Sequence, residues 1–182
     1  MKNSSSWPFY RPFLRCGPGI PRSIPRPVPQ PCEPVMTIEE VNERPESLLG
    51  CLLLVWESSV AATHDFLSNQ DIIMLRPTVL EELRRVPVLF VAMEDARPVG
   101  FLGMNGESVD MLFVDAAFRG MGTGGALLNE AVVRGARRVD VNEENPQAVG
   151  FYRHMGFAVS GRSDTDALGL PFPILHMQLT NY

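Results

Sequence analysis

The chain has 182 residues, a formal charge of −5 and 45% apolar residues, enough for one folded domain with a sizeable core. No apolar run approaches the ~20 residues needed to span a bilayer, which argues against a membrane-spanning helix. No nucleic-acid or membrane partner is expected, and three scattered histidines (His64, His154, His176) do not make a zinc site, so no metal is expected.

Residues 1–35 differ from the rest. They hold nine of the sixteen prolines and five basic residues against one acid, Glu33. Proline at this density blocks helices and sheet ladders, so the segment is expected to be a disordered extension. It lacks the apolar core of a secretory signal. Two readings stand side by side: a basic targeting or partner-binding arm, or an extended reading frame with Met36 as the natural start. The foldable domain is expected over 36–182. Cys16 and Cys32 fall in the arm, which leaves Cys51 alone in the domain. That usage points to a reducing, cytoplasmic setting without a disulfide framework.

Along the domain, 37–42 reads as a short strand. Residues 46–60 are amphipathic at helical spacing, with Leu49, Leu52, Leu53 and Trp56 on a shared face. Residues 66–76 and 77–85 suggest a helical region broken at Pro77. Two strands are expected at 88–93 and 99–104, turning at Asp95-Ala96-Arg97-Pro98. Asn105-Gly106 is a strong hairpin signal leading into a strand at 108–114. A helix over 122–135 follows, then a short strand at 137–141. Asn145 caps a helix that Pro146 opens and Gly156 stops. Strands at 158–161 and 174–179 complete the chain.

The richest stretch is Val114-Asp115-Ala116-Ala117-Phe118-Arg119-Gly120-Met121-Gly122-Thr123-Gly124-Gly125-Ala126, read as strand, glycine loop and helix. The N–H groups of such a loop and of the first helical turn have no intrahelical partners. With the helix dipole they form a receptor for an anion such as a pyrophosphate. Arg119 adds a fixed positive charge. An ordinary glycine-rich turn is the plainer alternative. A P-loop fails, because no Lys follows the glycines. The dinucleotide pattern Gly-x-Gly-x-x-Gly is literally present at Gly120–Gly125, with Asp140 near the ribose-binding distance, so an NAD(P) oxidoreductase remains open. Against it, Asp115 to Arg119 separate the strand from the first glycine, and the preceding segments look like antiparallel hairpins.

Arg119-Gly120-Met121-Gly122-Thr123-Gly124 resembles the acetyl-CoA pyrophosphate loop of the GNAT superfamily of N-acetyltransferases. Asn142-Glu143-Glu144-Asn145-Pro146-Gln147-Ala148-Val149-Gly150-Phe151-Tyr152-Arg153-His154-Met155-Gly156-Phe157 resembles that superfamily's second conserved segment. With the two motifs in this order, residues 36–182 resemble small bacterial acetyltransferases of the GNAT type. One departure is Ala116, where many relatives have proline. The resemblance implies an α/β fold, with a mixed, mostly antiparallel central sheet flanked by helices.

It also implies an acetyl-CoA-dependent N-acetyltransferase with no metal cofactor. Backbone of Leu112, Phe113 and Val114 would face the pantetheine arm where two strands splay, while their side chains pack the core. Arg119, Gly120, Met121, Gly122, Thr123, Gly124 and Gly125 would hold the pyrophosphate, and Asn145 and Ala148 the pantetheine. Tyr152 matches the family's general acid, a phenol able to return a proton to the CoA sulfur; packing alone is its other reading. The run Trp56-Glu57-Ser58-Ser59-Val60-Ala61-Ala62-Thr63-His64-Asp65-Phe66-Leu67 resembles one bacterial branch of the family. It offers Trp56, His64 and Phe66 for the acceptor. His64 is the candidate base, with Asp65, Glu57, Glu107 and Asp110 as others and a helix-end histidine as the plainer reading. The acceptor is an amine of a small molecule or a protein, and the protein a monomer or homodimer. The acid excess of the folded part is compatible with a cationic amine acceptor. A non-catalytic CoA-binding module is the competing reading.

Overall fold

The computed structural model describes residues 36–63, 68–166, 169 and 171–180. The extension over 1–35 expected to be disordered, and the site candidates His64, Asp65 and Phe66, lie outside these residues. Strand β1 (Met36–Glu40) leads to helices α1 (Glu46–Ala61) and α2 (Asn69–Arg85). The meander β2 (Val88–Glu94), β3 (Arg97–Asn105) and β4 (Ser108–Val114) follows. After a 3-10 turn at Ala116–Phe118 come α3 (Thr123–Arg134), β5 (Arg138–Asn142), α4 (Pro146–His154), β6 (Phe157–Ser163) and β7 (Ile174–Leu179). Among the described residues, no helix is long and apolar enough to cross a membrane.

The seven strands form one sheet in the order β1-β2-β3-β4-β5-β7-β6. Neighbours pair antiparallel except β4 and β5. This is the mixed, mostly antiparallel sheet the sequence predicts. It is not the parallel, doubly wound sheet of a dinucleotide-binding enzyme, so the match to that glycine pattern is accidental.

β2 and β3 read as near-continuous apolar runs because both of their faces are covered. On one face Leu127, Leu128 and Ala131 of α3 meet Phe90, Leu102 and Val139. On the other, Leu49, Leu52 and Trp56 of α1 and Leu83 of α2 meet Leu89, Val91 and Phe101. Each fully buried leucine contributes roughly 1.5–3 kcal/mol.

α2 departs from the expected break. It runs continuously through Pro77, and its start is fixed by Ser68 rather than by the proline. Ser68 Oγ accepts from Asp71 N–H at 3.2 Å, and Ser68 N–H donates to Asp71 Oδ2 at 2.9 Å, a reciprocal capping box. The box and the packing of Ile72, Val79, Leu80 and Leu83 hold a helix that proline alone would interrupt.

Three register shifts re-aim side chains. In β3, Ala92 faces Gly100 but Met93 faces Pro98, which leaves Val99 as an extra residue. The bulge sits where Pro98 has no N–H to give the ladder. In β4, the shift between Gly103 and Met104 leaves Asp110 extra. In β6, the shift between Val159 and Gly161 leaves Ser160 extra. Parallel pairing of β4 with β5 is confined to Ser108↔Arg138 and Val109↔Val139. Beyond these residues the strands diverge, and a wedge opens in the sheet.

Candidate active site

The wedge is the origin of the site. A cleft of about 460 Å³ is lined by Leu112, Phe113 and Val114 at the free end of β4. The two faces of the sheet contribute differently: α3 and α4 flank the cleft on one side, and Ser59 and Thr63 from the end of α1 reach it from the other. A ligand held there is accessible from both faces.

The loop after β4 is anchored before it turns. Asp115, 8% exposed, accepts from Ser58 Oγ at 3.0 Å, Arg97 Nη2 at 2.9 Å and Ala117 N–H at 3.0 Å. Ser58 Oγ in turn accepts from Ala116 N–H at 3.1 Å. Three donors on one buried carboxyl group fix the start of the loop against α1 and β3. The Arg97 guanidinium also lies 5.8 Å from the centre of the Phe118 ring, which borders the cleft. These long-range contacts carry no local sequence pattern, and reading the sequence missed them.

Past this anchor the chain reaches Arg119, then Gly120 at φ 75° and Gly122 at φ 88°. Both are left-handed, a region where an L side chain costs roughly 1–2 kcal/mol. The turn drops the chain into α3 with Gly122 as N-cap and no side chain capping the first turn. Its N–H groups are therefore available to a ligand. Thr123 is buried at 2% exposure and fixes the start of α3 against the sheet.

Gly120, Gly122, Thr123, Gly124 and Gly125 line the cleft with Arg119. Met121 does not; its side chain is 63% exposed. Arg119 Nη2 donates to Gln147 Oε1 at 2.6 Å, joining the loop to the first turn of α4. Asn145 Oδ1 accepts from Ala148 N–H at 3.0 Å, the expected cap, and Pro146 opens the helix. Asn145, Gln147 and Ala148 lie along the same cleft.

Tyr152 also borders the cleft but is only 7% exposed. Its ring packs edge-on against Phe151 and Phe157, with centroids 5.1 and 5.8 Å away. Burial pushes its phenol well above the ordinary range, so the hydroxyl keeps its proton.

The acceptor-side expectations are placed differently. Trp56 is 4% exposed and packs in the core between α1 and the sheet, so it offers no surface to an acceptor. Its position on the apolar face of α1 is the physical reason. Among the other base candidates, Glu57 is engaged by Arg76 Nε at 2.8 Å and Glu107 lies 3.7 Å from Arg138. Partial desolvation raises the Asp110 carboxyl; a Ser108 hydrogen bond opposes this, and the charges of Glu82 and Asp140 add to it. Reading the sequence also missed the cleft residues Ser59, Thr63, Phe118, Gln147, Phe151, His154 and Met155. All of them stood within the quoted runs; what singles them out is their place along the cleft, which for Ser59 and Thr63 comes from the packing of α1. Among the described residues, no three His, Cys, Asp or Glu side chains are grouped to hold a metal.

Known proteins match this arrangement. Residues 86–159 match the family model described as the acetyltransferase (GNAT) domain. Peptidyl-lysine N-acetyltransferase YjaB of Salmonella typhimurium is 43% identical over 127 residues, 69% of this chain and 88% of that protein. The solution structure of apo-form YjaB from Escherichia coli superposes with a TM-score of 0.72 at 38% identity, covering 81% of this chain and 99% of that one. The PaiA N-acetyltransferase of Thermoplasma acidophilum in complex with coenzyme A shares the fold at a TM-score of 0.60 and 20% identity, over 79% of this chain and 99% of its own. The chain belongs to the GNAT acetyltransferases. It is accordingly an enzyme that uses acetyl-CoA.

Proposed function

We propose that the protein transfers the acetyl group of acetyl-CoA to a lysine side-chain amine of a peptide or protein, by direct attack, with Tyr152 as general acid. The observation that carries the reading is the cleft through the β4–β5 wedge, bordered by both the glycine loop and Tyr152. The lysine acceptor is suggested by the relative at 43% identity, whose name specifies peptidyl-lysine.

The residues present suit the co-substrate. The uncapped first turn of α3 and the Arg119 guanidinium suit a pyrophosphate, which needs many donors and little side-chain bulk. The free backbone edge of Leu112–Val114 suits an amide-bearing arm, and an N–H aimed at the thioester carbonyl would stabilise the developing oxyanion. The amine would enter from the α1 side past Ser59 and Thr63. Tyr152 would donate to the departing sulfur. A buried phenol is poor at ending as a free phenolate, so its contribution is a strong hydrogen bond with proton transfer completed as the C–S bond breaks.

Release of CoA thiol tests the proposal, measured over lysine peptides, free amino acids, polyamines and aminoglycosides. A kcat/KM for lysine peptides well above the other classes is the expected result. Preference for a small-molecule amine would reassign the acceptor. Tight CoA binding with no thiol release from any amine would favour a binding module.

A further inference from the structure

On the sheet face opposite α3 and α4, three side chains form a hydrogen-bonded chain that the cleft does not use. Ser163 Oγ donates to His176 Nε2 at 2.8 Å, and His176 Nδ1–H donates to Asp140 Oδ1 at 2.7 Å. The carboxylate can only accept, so Nδ1 carries the hydrogen, and in the neutral imidazole Nε2 is then the acceptor for Ser163. Asp140 lies opposite His176 in the β5–β7 register, and Gly161 lies opposite His176 in β6–β7. Their sequence neighbours Val139, Val141, Leu175 and Met177 pack in the α3-side core, so the three polar groups share the other face.

The bulge in β6 creates this constellation. Without the extra residue Ser160, the register of Val159↔Met177 would continue and bring Arg162 opposite Ile174, on the histidine's face. With it, Ser163 stands opposite Ile174 and reaches the imidazole, while Arg162 is taken by Glu143 and Asp164. Bulges commonly re-aim a side chain beside a reactive site. Gly161 leaves space at the ring: a Cβ added there would come to 3.5 Å from His176 Cδ2. The imidazole and carboxylate are partly open to solvent, with side-chain exposures of 40% and 64%.

Nucleophile, base and orienting acid in this order are recognised by geometry and roles, not by sequence position or fold. We infer that Ser163 is an activated nucleophile and that Ser163, His176 and Asp140 form a second acyl-transfer site, one that takes small acyl esters. Ser163 Oγ bonds the carbonyl carbon as its proton passes to His176 Nε2. The ester C–O bond breaks with its electron pair on the leaving oxygen, which takes that proton, and an acyl-serine remains. Water then attacks the acyl carbon and gives one proton to Nε2. The carboxylic acid departs, and Ser163 recovers the proton from His176. Asp140 holds the imidazole in the accepting tautomer throughout. The partly open imidazole and carboxylate suit short acyl chains.

The test uses the full chain with a fluorophosphonate probe, followed by intact mass and peptide mapping, and with p-nitrophenyl acetate for turnover. The expected result is one phosphonyl adduct, on Ser163, absent in Ser163→Ala. His176→Gln should slow labelling and p-nitrophenol release ~10²–10⁴-fold, as loss of a general base does. Asp140→Asn should slow both in the same direction and serves alone if the histidine variant does not fold. Unchanged thermal midpoint and CoA binding establish that each variant is folded. A folded parent with no Ser163 adduct, or a folded His176→Gln or Asp140→Asn labelled as fast as the parent, would overturn the assignment.

Discussion

Ser58 Oγ donates to Asp115 Oδ1 at 3.0 Å across 57 residues of sequence, and accepts from the N–H of Ala116. Through that one hydroxyl, α1 grips the segment that launches the glycine loop. The same helix sends Ser59 and Thr63 to the cleft, so acceptor-side and cofactor-side elements share a support.

Ser58→Ala should therefore act on both stability and cofactor affinity. It removes a donor to a buried carboxylate and an acceptor for a backbone N–H. Leaving such groups unmet costs about 1–3 kcal/mol. The expected outcome is a lower thermal midpoint and a raised KM for acetyl-CoA, with kcat less affected. Ser58→Thr, which keeps the hydroxyl, should restore most of the affinity. Thermal denaturation and acetyl-CoA titration of both variants check this.

Gly122→Asp should weaken CoA binding for two separable reasons. At φ 88° any L side chain is strained, and an added carboxylate repels a pyrophosphate. Gly122→Ala carries the strain without the charge. Calorimetric titration should show the alanine variant weakened and the aspartate variant weaker by at least a further tenfold, ~1.4 kcal/mol. Equal affinities for the two would remove the anion from the α3 N-terminus.

The legible parts of this molecule are those with local physics. Alternation, glycine and proline punctuation and the Asn145-Pro146 cap located the strands and α4 within a residue or two. Arg119 and the glycines, read as one loop, do stand with Asn145 and Tyr152 around one cleft. Contacts between distant segments were illegible. Ser58 and Arg97 become partners of Asp115 only once α1 and β3 flank the end of β4. The motif neighbours of Trp56 point toward an acceptor, but its spacing with Leu49, Leu52 and Leu53 puts it on the apolar face that packs inside. The bulges at Asp110 and Ser160 leave no mark in composition, yet they decide which side chains face which side.

The capping box of α2 predicts an acid-sensitive contribution to stability. The Ser68 hydroxyl first, and its N–H second, hold the Asp71 carboxyl below its ordinary range. A carboxyl whose folded-state pKa is depressed stabilises the fold above its unfolded value, ~3.9. That stabilisation is lost as the pH falls through the folded value. Asp71→Asn should thus lie below the parent in thermal midpoint near neutrality, and the gap should close as pH drops below about 3.9. A gap independent of pH would assign the effect to helix propensity instead.

The β2–β3 turn holds a stabilising substitution. Asp95 at φ 47° and Ala96 at φ 64° are both left-handed, as a two-residue hairpin of the primed type requires. Asp tolerates that region, whereas Ala gains nothing there. Ala96→Gly should raise stability by roughly 1 kcal/mol, the cost of a left-handed alanine less the added chain entropy of glycine. CoA affinity should not change, because neither residue lines the cleft. Denaturant titration should show a raised midpoint with the same slope.

Tyr152→Phe tests the acid. The substitution keeps the ring that packs on Phe151 and Phe157 and deletes one hydroxyl, so the fold and the cleft wall should survive. Acetyl-CoA affinity should move by less than about tenfold, ~1.4 kcal/mol. The lost function is the proton for the departing sulfur, and general acids typically contribute ~10²–10⁴-fold. The loss should fall on kcat and kcat/KM together, since the interaction exists only as the C–S bond breaks. CoA thiolate is itself a tolerable leaving group, which places the effect toward the lower end of that range. Burial keeps the phenol protonated across the working range, so the parent should show no loss of activity on the alkaline side from this group. A folded Tyr152→Phe with parental kcat, where chemistry limits the rate, would return the tyrosine to packing and leave the CoA site where it stands.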